Sequence, residues 1–171
     1  MKVAVKDACV LIDLANGGLL DSWFELGFET HTTDFVINQV QREAQWRVVS
    51  GFVQAGLLKV ETLNAAELSQ MQTEYQESRL GIEDNSALFL AVKLKAVLIT
   101  GDRRLRSQAE KRSVKVHGVL WILDQLIAAN KIVPKLAAAK LRAMIDEGAY
   151  LPSEEVNKRF RDWSGGSDAT G

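Results

Sequence analysis

Residues 84–106, DNSALFLAVKLKAVLITGDRRLR, place a helix, a strand and a second helix in immediate succession. The segment 82–94 is apolar on nearly all sides, which indicates a buried helix. The run 96–100 is continuously apolar, as in a parallel strand that is covered on both faces. Residues 103–112 then give a basic helix. This order of elements is typical of an α/β fold.

The rest of the chain continues the alternation of strands and helices. Strands are predicted at residues 2–6, 28–33, 57–63 and 114–117. Residues 36–49 have helical spacing, with Val36, Val40, Ala44 and Val48 on one face. We expect one α/β domain over residues 1–151, with a mainly parallel central sheet flanked by helices. Residues 152–171 form a tail, with a short helix from Ser153 and a disordered end over 164–171.

Composition and charge narrow the class of protein. A chain of 171 residues with 47% hydrophobic residues is long enough for a substantial core. Its net charge of −1 gives no global attraction to nucleic acid or to an anionic membrane. We find no signal peptide, and the apolar runs are too short to span a bilayer, so we expect a cytoplasmic protein. The single cysteine, Cys9, lies in an apolar segment and is expected to be buried.

Acidic residues follow the predicted strands. Asp7 and Asp102 each end a strand and precede a helix, and the ends of parallel strands meet at one edge of the sheet. Carboxylates that meet there would repel one another unless a hard divalent cation bound them. The same aspartates are also favoured helix N-caps, and Asp84 in a first helical turn suits the helix dipole. Both interpretations predict the same location, and spacing alone does not decide between them.

Three segments resemble the PIN-domain nucleases. They are the first strand with Asp7 and a Leu-rich helix, the run Asp84-Asn-Ser-Ala-Leu-Phe-Leu-Ala, and the run Val-Leu-Ile-Thr-Gly-Asp-Arg-Arg-Leu that contains Asp102. Within that family the chain is similar to the small VapC-type ribonuclease toxins and related bacterial proteins. The resemblance runs from residue 3 to residue 118 and more weakly to 151, and residues 84–106 are its most specific part.

The resemblance implies a set of catalytic and metal-binding residues around one or two Mg²⁺ or Mn²⁺ ions: Asp7, Glu43, Asp84 and Asp102. Thr100 matches a hydroxyl position near the last aspartate. The chain departs from the family at Ala8, where Thr or Ser is frequent, and this removes a hydrogen-bond donor beside the metal. Glu83 is an alternative ligand, but adjacent helix residues point about 100° apart, so only one of the pair can face the cluster.

This residue set points to metal-dependent phosphodiester hydrolysis. Cations held by carboxylates make a nucleophile from water and stabilise the leaving oxygen. The resemblance implies an endoribonuclease acting on single-stranded RNA, the toxin of a type II toxin–antitoxin pair with an antitoxin protein as partner. Arg103 and Arg104 follow Asp102 directly and are expected to bind a substrate phosphate. His31 and His117 are isolated, and with one cysteine they give no zinc-ligand spacing.

Two other classes of protein compete with the nuclease. A PIN-like protein with a degenerate cluster would act through protein binding, and Ala8 and the weak motif around Glu43 favour it. A phosphoacceptor receiver domain would need paired acids after the first strand, whereas Asp7 has no acidic neighbour. Asp13 lies further along the first helix and is expected to face solvent or a neighbouring element. A homodimer is expected from the family and from the aromatic residues Trp23, Phe24 and Trp46.

Overall fold

A parallel five-stranded sheet forms the centre of the protein. The computed structural model describes residues 3–165. The strands are β1 (Val3–Lys6), β2 (Glu29–Thr33), β3 (Leu58–Glu61), β4 (Val97–Ile99) and β5 (Val116–His117). They lie in the order β3-β2-β1-β4-β5, and all their pairings are parallel. The predicted α/β class with a parallel sheet is confirmed.

Helices connect the strands and cover the sheet. Those before β4 are α1 (Ala8–Asn16), α2 (Leu20–Phe24), α3 (Asp34–Ile37), α4 (Glu43–Gln54), α5 (Ala65–Glu74) and α6 (Ile82–Leu94). Those after β4 are α7 (Arg103–Glu110), α8 (Val119–Ala128), α9 (Pro134–Asp146) and α10 (Ser153–Ser164). Within the described residues, none of these helices has the length and apolar character needed to cross a membrane.

The strand order reverses beside the first strand. The chain runs outward from β1 through β2 to β3 and then returns to β4 on the other side of β1. The carboxyl ends of β1 and β4 are therefore neighbours, and the Asp7 N–H donates to the Ile99 carbonyl at 3.4 Å. In open α/β sheets the crevice at such a switch point is where ligands bind.

Helix α6 is the buried helix predicted from its composition. Six consecutive residues, from Ser86 to Ala91, are buried, so the helix is covered on every side. The Ser86 hydroxyl lies 2.7 Å from the Thr33 hydroxyl at the end of β2. This buried hydrogen bond fixes the first turns of α6 near the carboxyl ends of the strands. Glu83 and Asp84 lie in its first turn.

The prediction of one helix over residues 36–49 is wrong. The chain forms α3, then a connection, and then α4. Val36 and Val40 are buried, whereas Ala44 and Val48 are exposed and Gln45 and Val49 are the buried residues of α4. The apolar spacing across the break was accidental, because two separate short helices contributed to it.

The aromatic residues that suggested a dimer pack mainly inside the domain. Trp23 is fully buried, and its indole N–H donates to the Thr30 hydroxyl at 3.0 Å. Phe24 packs against Phe52, with ring centroids 4.7 Å apart. Of the three residues that suggested a dimer, only Trp46 is an exposed large hydrophobic residue, at 41%. The argument for a dimer from Trp23 and Phe24 therefore does not hold, because both serve the core.

The end of the chain contains the last helix. α10 begins at Ser153, where a short helix was expected. Its Val156 side chain is buried, and Phe160 and Trp163 pack against the core. The disordered end was predicted to begin at residue 164, but Ser164 is the last residue of α10, and 166–171 lie outside the described residues. The boundary predicted at residue 151 stays a prediction.

Candidate active site

Asp7 and Asp102 begin adjacent helices at the switch point. Asp7 Oδ1 accepts a hydrogen bond from the Val10 N–H at 3.0 Å, and Asp102 Oδ1 accepts from the Leu105 N–H at 2.8 Å. Both residues are therefore N-caps, as their sequence context predicted. Asp7 is buried at 3% exposure, whereas Asp102 is exposed. The capping interpretation is therefore correct for both residues. Their charges also act on Asp84.

The charges of Asp7 and Asp102 both act on Asp84. The pKa of Asp84 is raised to about 6, first by partial burial and then by the negative charges of Asp7, Asp102 and Glu83. Like charges disfavour ionisation only over short distances. Asp7, Asp84 and Asp102 thus share one electrostatic environment, although they come from three separate parts of the chain.

Asp13 is a fourth acid at this edge, and the sequence interpretation missed it. The pKa of Asp13 is raised to about 6 by burial, the larger cause, and by the charge of Asp7. Asp13 lies four residues after Cys9, so both side chains project from the same face of α1. This spacing was the signal in the sequence that could have placed Asp13 beside the acidic edge.

Cys9 faces the cluster, and the prediction that it is buried is wrong. The residue is exposed. It lies two positions from the fully buried Leu11, which puts the two on opposite sides of α1. Desolvation raises the pKa of the Cys9 thiol to about 11, together with the charges of four acids, Asp7, Asp13, Asp84 and Asp102. We call these four residues the acidic cluster.

Glu43 does not join the acidic cluster. It is the first residue of α4, its side chain is 77% exposed, and it forms an ion pair with Arg47 one turn along the helix. Glu83 is engaged elsewhere, because its carboxylate accepts a hydrogen bond from the Gln39 amide. Asp84, on whose pKa the charges of Asp7 and Asp102 act, is therefore the candidate ligand of the pair.

Thr100 helps to position Asp102 of the acidic cluster. It is fully buried, and its hydroxyl accepts a hydrogen bond from the Asp102 N–H at 3.1 Å. This bond fixes the turn between β4 and α7. Because its side chain is covered, we assign Thr100 to the positioning of Asp102 instead of direct contact with substrate. Ala8 is also buried, at 8% exposure, and contributes no donor.

The chemistry of the acidic cluster fits a hard divalent cation. Carboxylate oxygens are the donors that Mg²⁺ and Mn²⁺ prefer. Burial is the largest cause of the raised pKa of Asp84, and the charges of Asp7 and Asp102 that add to it are ones a cation would offset. Within residues 3–165, no three His, Cys, Asp or Glu side chains form a preformed coordination site. Mg²⁺ retains several waters and needs only one or two carboxylates. The donor set therefore fits a cation that is bound partly through water.

Two cavities meet at Asp102. The first has a volume of about 580 Å³ and includes Cys9, Asp13, Gln45 and Asp102 in its lining. The second, of about 760 Å³, is lined by Thr100, Asp102, Arg103 and Arg104 among others. Both predicted phosphate-binding arginines are exposed. The arginines thus lie on one side of Asp102, while Cys9 and Asp13 lie on the other.

Comparison with known proteins identifies the family. The family model that matches is described as DUF3368, a PIN domain, and it covers residues 3–164. None of the curated proteins matches the chain. The resemblance to PIN-domain proteins that the motifs carried is confirmed.

The chain is similar to solved structures from two archaea. One is the crystal structure of PAE2754 from Pyrobaculum aerophilum, at 20% identity and a TM-score of 0.52, covering 74% of this chain and 98% of that one. Another is a PilT N-terminus domain protein, SSO1118, from Sulfolobus solfataricus P2. It is 14% identical, with a TM-score of 0.42, and the match covers 74% of this chain and 92% of that one. At this identity the first similarity establishes the fold alone.

Proposed function

This chain belongs to the PIN-domain family, and we propose that it is a divalent-metal-dependent endoribonuclease that hydrolyses single-stranded RNA. PIN domains are generally nucleases and typically use divalent metals. The observation that carries the proposal is the position of Asp7 and Asp102 at the carboxyl ends of the adjacent strands β1 and β4, with Asp84 in the first turn of the buried helix α6. After burial, the charges of Asp7 and Asp102 are the largest causes of the raised pKa of Asp84, so the three acids form one electrostatic unit. Such a unit is stable at neutral pH when a cation offsets its charge.

Each residue of the site has a proposed role. Asp7, Asp84 and Asp102 hold Mg²⁺ or Mn²⁺. A bound ion of this kind lowers the pKa of water and stabilises charge on phosphate oxygens. Arg103 and Arg104 bind phosphates of the RNA backbone beside the cleaved bond, which positions the strand without reading its sequence. Thr100 keeps Asp102 in place through its hydrogen bond to the backbone.

The fourth acid has two candidates. The family resemblance proposes Glu43, and the described structure offers Asp13, which lies in the acidic cluster. Glu43 would have to leave Arg47 and move from its exposed position to reach the metal. We therefore treat Asp13 and Glu43 as alternatives that experiment can separate.

The decisive experiment measures cleavage of a single-stranded RNA with and without metal. We expect products in Mg²⁺ or Mn²⁺ and none in EDTA. Asp102→Asn keeps the helix cap but removes the charge, so cleavage should fall at least about a hundredfold. Asp21→Asn is the matched control, because it removes one exposed carboxylate from the first turn of α2, outside the cluster. Wild-type cleavage by Asp102→Asn would refute the site.

Binding without catalysis is the second candidate function. The buried Ala8, which supplies no hydroxyl, and the exposed Glu43 favour it. Calorimetry with Mn²⁺ separates the two functions: a degenerate cluster would give no binding heat, and RNA would stay intact. For the active enzyme we further propose the toxin role in a type II toxin–antitoxin pair. Co-purification with the product of a neighbouring small reading frame tests that partner, and light scattering tests the proposed homodimer.

A further inference from the structure

The cavity on the basic side of Asp102 has features that metal binding does not use. Its lining combines several arginines with aromatic rings: Arg103, Arg104, Arg106, Arg159, Trp121 and Tyr150. Within residues 3–165, no ion pair involves Arg103, Arg104 or Arg106. Three guanidinium groups without a carboxylate partner at one cavity form a site for an anion.

The aromatic residues of this cavity differ in exposure. Trp121 is half-buried and stacks on the His117 ring, with centroids 4.2 Å apart and planes 4° apart. Tyr150 lines the same cavity and is 84% exposed, more than any other large hydrophobic residue described. A tyrosine ring this open to water is uncovered apolar surface, and nucleic-acid bases stack readily on such rings.

The last helix contributes Glu155 and Arg159 to the lining of the same cavity. Arg159 of α10 donates to Asp124 of α8 from Nη2 at 2.8 Å and from Nε at 3.2 Å. It also pairs with Glu155 at 2.7 Å. Since these bonds occupy Arg159, its role at the cavity is to hold α10 in place. The neighbouring arginines of α7 remain for a ligand.

The two cavities are continuous along the edge of the sheet. Residues from the β4–α7 turn, the start of α8 and the α9–α10 connection line both: Gly101, Asp102, Val119, Tyr150 and Leu151. The first cavity contains Asp13 and the second contains the arginines. An RNA strand that passes Asp102 would therefore run from the acidic cavity to the basic cavity. Tyr150 lines both cavities.

We infer that the second cavity binds the nucleotide next to the cleaved phosphodiester, with its phosphate on Arg104 and Arg106 and its base stacked on Tyr150. This inference rests on the proposed ribonuclease function and adds to it a subsite that includes the C-terminal segment. The volume of about 760 Å³ suits one nucleotide with part of its neighbour. Any base can stack on a tyrosine ring, so the subsite positions the RNA strand without selecting its sequence.

The test is the binding of a fluorescently labelled single-stranded RNA decamer in EDTA, followed by anisotropy at several salt concentrations. Tyr150→Ala should weaken binding about tenfold at every salt concentration, because stacking is lost, while Tyr150→Phe keeps the ring and the affinity. Arg104→Gln and Arg106→Gln should each reduce the slope of log K against log salt by about 0.7. Arg161→Gln, the control, removes an exposed arginine of α10 that does not line the cavity, and should match wild type.

The outcomes separate this inference from the proposed function. If wild type cleaves RNA in metal but the Tyr150 and arginine variants bind like Arg161→Gln, the subsite is refuted and the ribonuclease stands. If wild type neither binds nor cleaves RNA, both fall. Equal weakening by Tyr150→Ala and Tyr150→Phe would also refute stacking, since only the former removes the ring.

Discussion

Single aspartates serve two purposes at the edge of the sheet. Asp7 and Asp102 cap helices through one carboxylate oxygen, and their charges also act on Asp84. An N-cap needs only an oxygen acceptor, so asparagine can replace aspartate there at little cost. The charge is what the acidic cluster requires. Substitution by asparagine therefore separates the role of each residue in the fold from its role in function.

The reactivity of Cys9 should report cation binding. Its pKa of about 11 leaves little thiolate at pH 8, because desolvation and the charges of the acidic cluster disfavour ionisation. A cation held by the cluster offsets those charges, and each unit by which the pKa falls raises the thiolate fraction about tenfold. We expect Mg²⁺ to accelerate alkylation by iodoacetamide, followed by mass spectrometry. Cys9 is the only cysteine, so labelling is specific.

Two controls make this measurement specific to the site. Asp84→Asn should speed alkylation in EDTA, because one of the opposing charges is gone, and should reduce the response to Mg²⁺. In the denatured chain Mg²⁺ should have no effect. A folded wild type whose rate does not rise with Mg²⁺ would show that no cation binds beside Cys9.

A pair of matched substitutions decides whether Asp13 or Glu43 is the fourth metal ligand. Asp13→Asn removes a charge that is coupled to Asp7, and we expect it to lower Mn²⁺ affinity about tenfold to a hundredfold. Glu43→Gln removes a charge from an exposed ion pair, which contributes little, and affinity should not change. Calorimetric titration with Mn²⁺ measures both. The opposite pattern would restore Glu43 as the ligand that the family resemblance implies.

At the scale of elements, α10 depends on one buried contact. Val156 is its only fully covered residue among those described, and Arg159 provides the polar anchor to α8. The Arg142 guanidinium of α9 lies 4.8 Å from the Phe160 ring and adds a cation–π contact. A helix attached by so few groups opens more readily than a core helix such as α6.

Removal of the anchor should loosen α10 alone. Arg159→Met keeps the apolar stem but loses the hydrogen bonds to Asp124 and Glu155, so the docking of α10 should weaken by about 1–2 kcal/mol. Hydrogen exchange should then quicken for the amides of α10 and stay unchanged in α6. Arg161→Met, an exposed neighbour, is the control. Unchanged protection of α10 in Arg159→Met would contradict the anchoring role.

At the scale of the whole molecule, the acidic cluster makes stability depend on pH. Asp13 and Asp84 have a pKa of about 6 in the folded protein against 3.8 in the unfolded chain. A raised carboxyl pKa means that the folded state binds protons more tightly. The stabilisation from this effect is complete below pH 3.8 and is lost as the pH rises through about 6. Without metal, both groups therefore destabilise the protein at neutral pH.

Asp84→Asn should remove part of this destabilisation at neutral pH. A shift of about two units corresponds to about 3 kcal/mol, and solvent screening of a half-buried group reduces the expected gain to about 1 kcal/mol. In EDTA at pH 7.5 the variant should melt above wild type, and the difference should vanish near pH 4. Mn²⁺ should raise the melting temperature of wild type more than that of the variant. A variant less stable than wild type at pH 7.5, with no metal response in either protein, would refute the acidic cluster.

The sequence by itself determined the elements and the edge of the sheet at which they meet. The apolar run before Asp102 and the buried helix after Asp84 are local patterns of burial, which hydrophobic periodicity records directly. The caps at Asp7 and Asp102 are equally local, because the bonded N–H lies three residues away. The family motifs lie in these same segments, which is why the resemblance was confirmed over residues 3–164.

Only the tertiary structure decided which acidic residues affect one another's pKa. The helical spacing across residues 36–49 hid the break before α4, and with it the exposed position of Glu43. Asp13 and Cys9 turn toward the edge because Leu11 and Leu14 bury the opposite face of α1. Arg159, which lines the second cavity, pairs with Asp124, a residue 35 positions away in the sequence. Electrostatic coupling and cavity shape depend on distances in space, and a pattern of neighbouring residues does not contain those distances.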